Sequence, residues 1–255
     1  MIHYPFPLKI TLKIIFAIPR RKSLSFREDA LQAVRSLGEQ FLLMGQEHIP
    51  QTGPCLVTVN HFHREGFSAW WIPFAISSAI PVEVHWLTTA AWRFEGKLMS
   101  KALEFLSRKI IHLIAQVYGF TTTPPMPPDP GEVKEGAASI RKLLKFADTH
   151  PQAFIGLAPE GRDSISGELL PPPPGTGRLI GHLANRGFCI LPAAIYEALS
   201  QKKGTTPSCL VLRFGPAYTI EIPRQVSPKE RDALIGQKVM GAIADLSPAI
   251  NRSNL

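Results

Sequence analysis

Within 54-PCLVTVNHFHREGF-67, an uncharged apolar run stops at Asn60-His61, and His63, Arg64 and Glu65 follow at once. A neutral imidazole can accept a proton near pH 7, and a nearby carboxylate can set its tautomer. His61 is therefore a candidate base, and Glu65, one turn away if the segment is helical, is one carboxylate that could reach it. The alternative is an ordinary polar loop with a structural histidine. A second polar turn, 159-PEGRDS-164, closes another apolar run, 153-AFIGLA-158. It offers a carboxylate at Glu160, a flexible backbone at Gly161 and a guanidinium at Arg162. Arg162 or Arg178 suits a phosphate, which arginine binds through paired hydrogen bonds. His63 lies two residues from His61 with no third ligand evident. It is expected to face solvent or to be hydrogen-bonded, and no metal site is expected.

Elements must bring these turns together. Helical spacing is read at 25–39, 68–78, 96–108, 132–148 and 175–186, and from Pro228 onward with Ser227 as cap. Strand-like runs are read at 41–44, 55–60, 82–89, 153–158, 189–195, 209–214 and 217–222. Residues 110–118 fit either type. The proline-rich segments 121–131 and 171–175 are expected to be extended loops. Alternating strands and helices predict an α/β fold with a largely parallel central sheet flanked by helices. In such folds ligands bind beyond the carboxyl ends of strands, where both polar turns would lie. Trp70, Trp71 and Phe74 fit either an acyl groove or core packing.

The chain has 255 residues, 45% of them hydrophobic, enough for one sizeable domain. Lys and Arg outnumber Asp and Glu by 28 to 20, a net charge of +8, with a pI near 9.6. That balance favours anionic partners without choosing among phospholipid, coenzyme A and nucleic acid. The basic residues are scattered and no recognition motif is present, so nucleic acid is not expected. The three cysteines read as free thiols. The order of charges in residues 1–22 is not that of a cleaved leader, and no run is long enough to span a bilayer. Residues 1–35 are expected to form a basic, amphipathic helical segment ahead of a domain at 36–255. That segment suits an anionic membrane surface or packing on the domain.

The order Asn-His, Pro-Glu-Gly, Gly-x-Leu and a strand with an internal proline resembles the phospholipid/glycerol acyltransferase superfamily over about residues 36–222. The strongest part is 154-FIGLAPEGRDSISGELLPPPPGTGRLIGHLANRGFCILPAAIYE-197, with Pro192 inside the last strand. The resemblance implies transfer of a fatty acyl group from acyl-CoA or acyl-carrier protein to a hydroxyl of a lipid or glycerol-phosphate type acceptor. His61 would be the general base, and Asn60, Glu160, Gly161, Arg162, Ser164 and Arg178 would lie on the substrate side. No cofactor beyond the acyl donor is implied. The family's first block is His, four residues, Asp; here that position is Gly66, with Glu65 before it. Arg162-Asp163-Ser164 stands where Thr-Arg-Ser is usual, leaving Glu65 or Asp163 to replace the lost carboxylate. No Arg or Lys lies between Lys109 and Lys134, and Pro172 to Pro174 occupy usually basic positions. These losses fit a less charged acceptor, such as a sugar or carotenoid alcohol. The expected protein is a cytoplasmic O-acyltransferase of lipid metabolism, peripheral to the inner face of the membrane. The alternative is an acyl-chain or lipid-binding protein that keeps the fold without turnover.

Overall fold

Two uncharged runs, Cys55–Val59 (β2) and Phe154–Leu157 (β5), are buried along their whole length. Runs apolar on both faces need cover on both faces, and they sit at the centre of the sheet. The protein is a computed structural model in which residues 2, 4–5, 7–94, 99–162, 168–199, 208–222 and 225–247 are described. The remaining strands are Phe41–Met44 (β1), Val84–Thr89 (β3), Thr121–Thr123 (β4), Cys189–Leu199 (β6) and Ser208–Phe214 (β7). They join in the order β1-β7-β6-β2-β5-β3-β4. Every pairing is parallel except β6 with β7. The fold is thus α/β with a largely parallel sheet.

Alternation along β2 divides the core. Cys55, Val57 and Val59 face a layer built with Leu8–Ala17 (α1), Phe26–Arg35 (α2), Trp71–Ala79 (α3) and Ser100–Tyr118 (α4). Leu56 faces a layer with Val133–Thr149 (α5), Thr176–Ala184 (α6) and Pro228–Ala244 (α7). The predicted cap holds, with Ser227 Oγ accepting from Glu230 N–H, and Ser25 Oγ caps α2 in the same way by accepting from Glu28 N–H. Trp71 and Phe74 are core residues. The three cysteines are free, Cys55 and Cys209 buried and Cys189 half-buried.

Pro192 lies inside β6, just before Ala193, where the ladder to β7 begins. Its missing N–H therefore removes no bond to that partner.

Three expectations change. Residues 110–118 continue α4 rather than forming a separate element. The segment 121–131 begins with β4, an edge strand on β3, before the prolines take over. The strand expected at 217–222 reduces to one antiparallel bridge, Tyr218 to Ile190. Below Ala193 only a short edge of β6 is open, and Pro192 cannot donate there.

Candidate active site

Parallel pairing of β2 with β5, Cys55 opposite Phe154 through Thr58 opposite Leu157, puts both carboxyl ends at one edge. The two polar turns meet there. Glu160 is 1% exposed, and its carboxylate joins two loops. Oε1 accepts from His61 N–H at 2.7 Å and Oε2 from Leu170 N–H at 2.8 Å. Charge-assisted bonds of this kind are among the stronger ones available to a backbone amide. Asn60, also buried, extends the β2–β6 contact: Oδ1 accepts from Ile195 N–H at 2.8 Å, and Nδ2 donates to Ile195 O at 3.0 Å. Both residues, expected on the substrate side, direct these atoms to the protein's own backbone. They position the turn that carries His61.

The bend after β5 depends on Gly161. Its φ is +67°, and its N–H donates to Ala158 O at 3.1 Å. A Cβ there would also approach Met126 Cγ to 3.1 Å. Only glycine enters this backbone region at little cost.

A cleft of about 630 Å³ opens over the carboxyl ends of β2, β3, β4 and β5. His61, Gly161 and Arg162 lie in its wall. Trp70, Trp86, Trp92, Phe120 and Met126 supply apolar lining, with prolines from both proline-rich segments. The volume and lining suit a small-molecule or lipid ligand. His61 is half-buried, with Nδ1 buried, and the residue forms part of the cleft wall.

The fold is known from another protein. It is shared with the crystal structure of the 1-acyl-sn-glycerophosphate (LPA) acyltransferase, PlsC, from Thermotoga maritima. The TM-score is 0.50 at 13% sequence identity, over 89% of this chain and 83% of that one. No family model matches the chain, and no curated protein matches it.

Other expected residues lie apart. Glu65 is exposed and outside the cleft lining; its described hydrogen bond runs through the carbonyl, which accepts from Arg64 Nη1 at 2.7 Å. The helical spacing that would aim it at His61 does not form. Residues 61–64 are irregular, 65–66 turn, and Gly66 has a φ of +79°. Arg178 is exposed on α6 and does not line the cleft. Ser164 and Asp163 lie outside the described residues. His63 is exposed.

Sequence reasoning missed two groups. Arg93 lines the cleft and pairs with Glu132 at 3.2 Å and Asp129 at 3.4 Å. Nothing in its local sequence, 90-AAWRFE-95, separates it from a surface arginine. Arg64, noted only as part of a charged cluster, latches the loop that follows His61. It pairs with Glu197 on β6, donates to Ile2 O at 3.0 Å and lies over the Tyr4 ring. Tyr4 donates to Glu197 Oε1 at 2.6 Å, and burial together with that carboxylate raises its phenol pKa. Glu197 is 133 residues away in sequence and Ile2 is 62, so no local signal announces them.

Proposed function

We propose that the chain is an O-acyltransferase with His61 as general base. The observation that supports this reading most is the His61 ring in the wall of an apolar cleft, its backbone amide held by the buried Glu160 carboxylate. In the proposed step, Nε2 takes the acceptor hydroxyl proton as that oxygen attacks the thioester carbonyl. The carbon–sulfur bond then breaks, and the leaving thiolate takes the proton back from the imidazolium. The acyl chain lies along the tryptophan and proline walls. The donor is acyl-CoA or acyl-carrier protein, and the net charge of +8 suits phosphate-bearing donors.

The acceptor is a lipid hydroxyl. Among the described residues no ion pair engages Arg162, which leaves it for an acceptor phosphate, whereas Arg93 is already paired with acid groups. One guanidinium, unpaired among the described residues, beside a wall rich in tryptophan and proline favours a weakly charged acceptor. Ser164 and Arg178 remain assigned to the acceptor side, and α1 to an anionic membrane surface. Glu65 is assigned no proton transfer in the arrangement described.

The test is thiol release from a long-chain acyl-CoA with lysophosphatidate or a neutral long-chain alcohol as acceptor. His61→Ala is expected to lower the rate at least about 100-fold. Glu65→Gln is expected to leave it within about twofold. Equal rates for wild type and His61→Ala would overturn the catalytic assignment. Tight acyl-chain binding with no turnover in the wild type would establish the binding-protein alternative, which the displacement of Glu65 from the cleft favours.

A further inference from the structure

We infer that α4, beside the cleft mouth, is a docking face for a bilayer containing anionic phospholipid. The inference rests on the peripheral-membrane reading of α1 and extends it to an element outside the N-terminal segment. Met99, Phe105, Leu106 and Ile110 are 65%, 63%, 55% and 41% exposed. Phe105 and Leu106 lie on the side of the helix away from the buried Ser107, Ile111 and Ala115, with Met99 at the N-cap, Ile110 at the flank and the exposed Lys109 among them. Single exposed apolar residues are ordinary, but four on one element mark an interaction surface.

Charge selects the occupant. Lys101 and Lys109 are exposed on α4, and the Lys109 ammonium lies 5.4 Å from the centroid of the Phe105 ring. A lysine stem over an apolar surface with its charge at the edge suits the boundary between acyl chains and headgroups. The helix's one acid, Glu104, pairs instead with Arg108, which also binds Glu132 and Glu135. The neighbouring α1 adds exposed Leu8, Leu12, Ile15 and Phe16, followed by exposed Arg20, Arg21 and Lys22. Like charges on both sides disfavour a second copy of this chain on the same surface.

Position links α4 to the cleft. Trp92 lines the cleft, is 40% exposed, and its backbone N–H donates to Ser107 Oγ on the inner side of α4 at 3.0 Å. An indole at such a rim suits the headgroup level. A lipid hydroxyl leaving the bilayer beside α4 would then meet the cleft at Trp92.

The test is co-sedimentation of the full chain with phosphatidylglycerol/phosphatidylcholine vesicles and with pure phosphatidylcholine vesicles. Binding is expected to be stronger to the anionic vesicles and to weaken as salt rises. Phe105→Ser with Leu106→Ser is expected to weaken it at least about tenfold, with an unchanged circular dichroism spectrum. A second pair, Leu12→Ser with Phe16→Ser, reports on α1 separately. If the α1 pair loses binding and the α4 pair does not, the α4 assignment fails while the peripheral reading stands. If wild type ignores anionic vesicles, both fail. A wild-type dimer by sedimentation velocity that the α4 pair converts to monomer would also overturn the inference. Thiol release with a short-chain soluble thioester, measured on the same variants, keeps these outcomes apart from failure of the acyltransferase reading.

Discussion

At the scale of single residues, burial turns polar groups from chemistry to support. Glu160 and Asn60, expected on the substrate side, each bond the backbone of neighbouring loops and strands. The Glu160 carboxylate holds the His61 backbone amide, and His61 lies in the cleft wall. His85 shows burial acting on titration. It stacks on Phe146, which stacks in turn on His150, and its Nε2 lies 2.9 Å from Thr121 Oγ1. Desolvation, then the nearby positive Lys142 and His150, lower its pKa from 6.5 to about 4. Between those values the unfolded chain binds a proton that the folded chain refuses. Stability is therefore expected to fall by roughly 3 kcal/mol as pH drops from 6.5 to 4, with no further loss from this group below that. Urea denaturation across this range checks it, and His85→Phe is expected to flatten the slope even if the orphaned Thr121 hydroxyl lowers stability at pH 7.

At the scale of elements, the cleft depends on helices placed by one another. No side chain of its own caps the N-terminus of α6, which starts after Gly175 at a φ of +97°. Asp232 of α7 serves instead: Oδ2 accepts from Gly175 N–H at 2.6 Å and Oδ1 from Arg178 N–H at 2.7 Å. The approach is so close that a Cβ at Gly177 would stand 2.0 Å from Asp232 O. Asp232→Ala is expected to cost about 1–2 kcal/mol in chemical denaturation, the range for losing a helix cap. Because α6 carries Thr176 and Leu179 into the cleft, the KM for acyl donor in the proposed reaction is expected to rise as well. Periodicity found α5, α6 and the Ser227-capped α7 because each buries one face. It failed across 110–118, where α4 leaves apolar residues exposed and blurs the pattern that marks an amphipathic helix.

At the scale of the whole molecule, the N-terminal segment and the domain are joined by polar contacts that no local pattern shows. Asp29 on α2 is 1% exposed; it accepts from Lys13 Nζ of α1 at 2.6 Å and from Tyr118 OH of α4 at 2.8 Å. Lys13→Met removes the cation and leaves a buried carboxylate with the phenol. The expected loss is about 1–2 kcal/mol, smaller than for a fully buried pair because Lys13 is 40% exposed. Equilibrium denaturation of wild type and variant measures it. Tyr4 and the Ile2 carbonyl reach the Arg64 latch from the same segment, so the N-terminus and the His61 loop share one network. Among the described residues, no helix is long and apolar enough to cross a membrane.

The amino-acid sequence by itself determined the α/β class, the strands that end at His61 and Glu160, and the capped helix after Ser227. These follow from hydrophobic alternation and from side chains bonding their near neighbours, both local effects. Only the tertiary structure decided that Glu160 clasps the His61 backbone, that Glu65 turns outward at Gly66, and that Arg64 finds Glu197. Those outcomes depend on loops without a repeating pattern and on partners far apart in sequence, where burial and strand register, rather than residue spacing, choose which polar groups meet.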